Sequence, residues 1–121
     1  MENSILNTIK KLIGFDPLYT HFDLDIIVQI NSCFSTLHDL GVGPVEGFFI
    51  TDDKVTWDEY EISEPYLGMV KTYVYINTKL LFDRPETSYA IQAMTKAASE
   101  LEWRLHAESE MIRNASRTSR S

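Results

Sequence analysis

The stretch that most restricts how this chain can fold runs from Gly68 to Ser88, GMVKTYVYINTKLLFDRPETS. Val70, Tyr73, Val74, Ile76, Leu80 and Leu81 recur every three or four residues and wrap apolar surface round most of a helix, with Lys71, Asn77 and Lys79 as polar relief. Such a helix has to lie among other helices. Asp83-Arg84-Pro85 stops it, because proline disfavours helical geometry in the residue before it, and Thr87 or Ser88 is placed to cap a successor. The chain is therefore organised around a helical hairpin.

With 121 residues the chain has the length of one domain, and 44% hydrophobic residues give it a core. No apolar run approaches the roughly 20 residues that span a bilayer, and MENSILNTIKKLIGF lacks the basic leader and small-residue site of a signal peptide, so a soluble, non-exported protein is expected. A single cysteine, Cys33, excludes an internal disulfide and offers no repeated thiol spacing for zinc. Net charge is −7 and unevenly spread. Asp52, Asp53, Asp58, Glu59, Glu61 and Glu64 face only Lys54, whereas the stretch from Arg113 onward carries Arg113, Arg117 and Arg120 and no acid. An acidic body with a basic end argues against a conventional duplex-DNA grip, which needs a concentrated positive face.

Taken in order, residues 1–14 read as a short amphipathic helix with Ile5, Ile9, Leu12 and Ile13 on one stripe, Asn3 or Ser4 as cap and Gly14 as stop. Lys10 and Lys11 suit the negative end of its dipole. A helix this short must dock, either on its own domain or on a neighbouring subunit. Asp23 is the expected cap of a second helix running to about Leu40, burying Ile26, Ile27, Ile30, Cys33, Phe34, Leu37 and Leu40, and Gly41-Val42-Gly43-Pro44 ends it. Residues 45–64 form a long irregular connection, with Phe48-Phe49-Ile50 extended and Thr56 to Tyr60 making one helical turn. After the central helix, Tyr89, Ile91, Met94, Ala97, Ala98, Leu101 and Leu105 mark a long C-terminal helix reaching about Arg113, with Glu100 and Arg104 spaced as an ion pair. Residues 114–121 read as a basic, disordered tail after a single helical domain over 1–113. The expected fold is mainly α: a bundle of about four helices with a long C-terminal helix and one irregular acidic loop.

The sequence holds no complete catalytic or metal constellation. Cys33 and His38 lie about 140° apart round one helix and do not share a face. Glu102 and His106 could touch one ion, but the remaining carboxylates and second Glu-x-x-His of a bundle metal site are missing. The Asp52-Asp53-Lys54 segment lacks the sixth-position glycine and twelfth-position glutamate of a calcium loop. No glycine-rich phosphate loop occurs. Neither enzymatic activity nor a cofactor is expected. Trp57 and Trp103 are each either core or interface anchors.

INSCFSTLHDLGVGP (Ile30 to Pro44), MVKTYVYINTKLLFD (Met69 to Asp83) and ELEWRL (Glu100 to Leu105) resemble, in order and spacing, the small head-tail connector proteins of long-tailed bacteriophages and Gram-positive prophages. The resemblance covers Asp16 to His106; where that pattern commonly places two prolines after an aspartate, this chain has Asp83-Arg84-Pro85. It implies a structural virion protein that is made in the host cytoplasm and forms a ring, typically twelvefold, beneath the portal at the head-tail interface. Its partners would be itself, the portal protein and the next connector, stopper or tail component, with DNA passing through unbound and no membrane contact. On that footing Ile5, Ile9, Trp103, Arg113, Arg117 and Arg120 would meet the portal or a neighbouring subunit, and Asp52, Asp53, Asp58 and Glu59 would face the channel or the next ring. The alternative is a non-viral helical adaptor that binds one protein partner.

Overall fold

The computed structural model describes residues 3–112 and is mainly helical, as the periodicity predicts. Helix α1 spans Ile5–Leu12, α2 Asp23–Asp39, α3 Tyr66–Phe82 and α4 Ser88–Ala107, with a single 3-10 turn at Trp57–Tyr60. After a break at Glu108 a last helical turn covers 109–112, so the C-terminal helix is interrupted rather than continuous to Arg113. The remaining tail residues, 113–121, lie outside the described residues.

Helix α3 is central, packing against α1, α2 and α4, whereas α4 rests almost wholly on α3. Its direction relative to its neighbours follows from two polar ties. Gln29 Nε2 donates to the Asn77 carbonyl at 3.3 Å, and the Tyr73 hydroxyl donates to Glu102 at 2.7 Å. Val70, Tyr73, Val74 and Ile76 are buried as the wrap of apolar positions predicts. Leu81 is not: it is 61% exposed, because it sits in the last turn of α3 at the end of the bundle.

Ser4 caps α1 by accepting from the Asn7 N–H at 3.2 Å, and Gly14 leaves the helix at φ +92°, a conformation that favours glycine. The buried stripe is rotated from the expected one. Ile5, Leu6, Ile9 and Ile13 point inward and Leu12 is half-exposed. Ile5 and Ile9 are fully buried in the chain's own core, so their expected contact with the portal or a neighbouring subunit is corrected. The apolar demand of a short amphipathic helix is met by α2 and α3 of the same copy.

Two polar residues do structural work that their sequence positions conceal. Lys10 is completely buried, its ammonium 2.7 Å from Asp23 Oδ1 and donating to the carbonyls of Pro17 (2.9 Å) and Tyr19 (2.7 Å). Two carbonyls accept hydrogen bonds from the ammonium and the carboxylate supplies the opposite charge, which is what makes a buried lysine tolerable. Asp23 is consequently not the cap of α2; it opens the helix and faces Lys10. Cys33, Phe34 and Leu37 are buried on α2 as predicted, while Leu40 is only partly covered.

Candidate functional site

The acidic segment between α2 and α3 is fixed by its own apolar residues. Phe34, Phe48 and Tyr60 stack with ring centroids 5.0 Å apart pairwise, and Trp57 joins at 6.2 Å from Phe34. Asn31 on α2 pins the strand-like stretch from both sides, accepting from the Ile50 N–H at 2.7 Å and donating to its carbonyl at 2.9 Å. Gly43 is required here: its φ is +97° and an added Cβ would come within 2.9 Å of the Tyr60 hydroxyl. Thr56 and Glu59 form a reciprocal capping box that starts the 3-10 turn. Thr56 also bridges to Ser4, which ties this segment to the start of α1.

On this platform Asp52, Asp53, Asp58 and Glu59 are all exposed. Their local partners are modest. Asp52 accepts from the Lys54 N–H at 2.8 Å, Asp53 lies 4.0 Å from the Lys54 ammonium and Asp58 accepts from Asn3 at 3.0 Å. The result is a rigid surface of negative charge turned to solvent. Among the described residues no group of three or more metal-ligating side chains converges.

Trp103 is on a different part of the molecule. It is 72% exposed on the outer face of α4, in a shallow groove with Lys96, Ser99, Glu100 and Arg104. The groove continues toward the helix start past Gln92 and Ala93 to Tyr89, which was expected on the buried stripe but is 82% exposed. Ala98 and Leu105, further along that stripe, are buried as expected. The expected Glu100–Arg104 ion pair is not formed, and among the described residues neither charge beside the indole has an ion-pair partner. Trp57 has the opposite environment, 1% exposed with Lys71 5.4 Å above its ring. Arg113, Arg117 and Arg120 lie outside the described residues.

Of the residues weighed for chemistry, each has an ordinary structural task. His38 Nε2 lies 2.9 Å from the Val45 carbonyl, and His106 Nδ1 lies 3.1 Å from the Leu40 carbonyl, joining α4 to the end of α2. Glu102 accepts from Tyr73 beside Cys33. Burial, with the Glu102 carboxylate second, pushes the Cys33 thiol up to about 12, so it stays protonated and inert. Burial and Glu102 likewise hold the Tyr73 hydroxyl above its usual range. Sequence reasoning missed Asn31 and Lys10, because nothing in their spacing distinguishes a staple from a surface residue.

The exposed acidic segment and the exposed Trp103 face are surfaces suited to contact with other macromolecules. A family model described as phage connector protein matches residues 5–111. No curated protein and no solved structure gives a significant match.

Proposed function

We propose, from the premise that the chain belongs to the phage connector protein family, that copies of it form a ring beneath the portal which extends the DNA channel and joins head to tail. Membership makes the chain a structural component of the phage particle that interacts with other head or tail proteins. The ring, its twelvefold count and the portal as partner are the proposal, and the family match over 5–111 is the observation that carries it.

Within that ring, the exposed carboxylates of Asp52, Asp53, Asp58 and Glu59 face the channel or the next ring. A fixed negative wall repels a sliding polyanion and lets DNA pass without sticking. Trp103, and the arginines Arg113, Arg117 and Arg120 that follow α4 in sequence, meet the portal or a neighbouring subunit. The exposure of Trp103 on a rigid helix supports its part in this. Size-exclusion chromatography with light scattering, with and without portal protein, tests the reading. The expected result is a portal-bound oligomer of the chain; a monomer that ignores the portal at every concentration would overturn it.

A further inference from the structure

Two displays of uncovered apolar surface lie on different elements of the fold. One is the outer face of α4 with Tyr89 and Trp103. The other is the connector after α1 and the first turns of α2, where Leu18 is 89%, Leu24 77% and Val28 68% exposed. Helix α3 packs against α1, α2 and α4, and α4 makes most of its contact with α3.

The second surface is built to keep its shape. The buried Lys10 ammonium holds the carbonyls of Pro17 and Tyr19 and the carboxylate of Asp23, clamping both ends of the connector. Phe22 stacks edge-on with His21 at 4.7 Å and contacts Phe15 at 6.0 Å beneath. A buried lysine committed to three loop contacts has little value for a segment free to wander; it preorganises Leu18 and its neighbours for contact. The rims of the two surfaces also differ in charge. Asp16 and Asp25 are exposed beside the connector surface, whereas Lys96 and Arg104, with Glu100 between them, are exposed beside Trp103 and have no ion-pair partner among the described residues.

We infer that the α4 face of one copy receives the connector and α2 face of the next, with Trp103 seated against Leu24 and Val28 and with Lys96 and Arg104 meeting Asp16 and Asp25. The occupant is a second copy of this chain. A contact between two unlike surfaces is head-to-tail, the type that repeats round a closed ring when its rotation closes. Tryptophan and arginine at the centre and rim of the patch are the residue types that dominate such contacts. The inference rests on the ring reading above and assigns its subunit interface.

Two surface variants of the full chain test it, Trp103→Glu on the α4 face and the double variant Leu24→Glu/Val28→Glu on the other. All three positions are exposed, so helical content and melting temperature serve as folding controls and should match the parent. Sedimentation is run with portal protein present. Each variant alone should lose assembly by at least about tenfold in the concentration required, the equivalent of about 1.4 kcal/mol. Mixed one to one, they should restore a single intact contact per pair and give a species of two copies that grows no further. Carbodiimide treatment of the mixed parent in heavy- and light-isotope forms should yield heavy-light links from Lys96 to Asp16 or Asp25. Assembly of the Leu24→Glu/Val28→Glu chain at the parent's concentration, or failure of the mixture to pair, overturns this interface while leaving the ring itself standing. A parent chain that never assembles overturns the ring reading and this inference with it.

Discussion

The surroundings of the two tryptophans show how one residue type serves opposite ends. Trp57 is enclosed by an aromatic cluster and closes the core where the acidic segment meets α2 and α3. Trp103 stands clear of the chain that bears it, on a helix whose inner face already satisfies the fold with Ala98 and Leu105. The difference teaches that the two positions carry different loads in the fold: the acidic platform is fastened from within, while α4 leaves its largest side chain uncovered.

Truncation should break that contrast most sharply. Trp57→Ala is expected to cost about 3–5 kcal/mol in denaturant unfolding, through lost burial and the cavity left behind. Trp103→Ala should stay within about 0.5 kcal/mol of the parent in the same measurement while weakening assembly. Equal costs at the two positions would erase the distinction.

Lys10→Ala comes next, at about 3 kcal/mol, because it strands the carbonyls of Pro17 and Tyr19 and leaves Asp23 without its cation. Chemical denaturation gives the number, and a cost under about 1 kcal/mol would show that the clamp does not hold the connector.

A pH series sharpens the picture of the interior. Cys33 is raised to about 12 from an ordinary value of 9.0, and Tyr60 and Tyr73 are raised from 10.0. Groups raised in the fold stay neutral there while the unfolded chain ionises. Their contribution is therefore intact below about pH 9 and is lost as pH climbs from 9 toward 12. Melting temperature should begin to fall near pH 9, and Cys33→Ala should delay the onset toward pH 10. An unchanged onset would show that the thiol is not the first group to matter.

The smallest effect is expected at Tyr60. Its hydroxyl is buried without a hydrogen-bond partner among the described residues, so Tyr60→Phe should be neutral or stabilising by less than about 1 kcal/mol, as read from the unfolding midpoint. A loss larger than that would reveal a partner for the hydroxyl.

Much of the fold was legible in the sequence because helix periodicity and punctuation agreed. The α2 stop at Gly41-Val42-Gly43-Pro44, the Thr87 cap of α4 and the buried face of α2 all follow from local chemistry. The misplacements share a physical cause. Periodicity reports that a residue is apolar, not whether a neighbour covers it. Leu12, Leu81 and Tyr89 continue apolar stripes yet lie at element ends where no partner helix reaches. Lys10 shows the converse, a charged residue whose carbonyl acceptors come from a loop with no signature. The acidic surface was readable from composition, but its fastening through Asn31 was not, since a side-chain staple to a backbone nineteen residues away leaves no local pattern. The exposure of Trp103 could not be told from the burial of Trp57 before the helices were packed.

The claim that α4 turns its largest side chain toward another copy is tested most directly by acrylamide quenching of Trp103 fluorescence in a Trp57→Phe chain, alone and assembled on the portal. Free chains should be quenched strongly and assembled chains several-fold less, with emission shifted to shorter wavelength as the indole is covered. Equal quenching in the two states would contradict it.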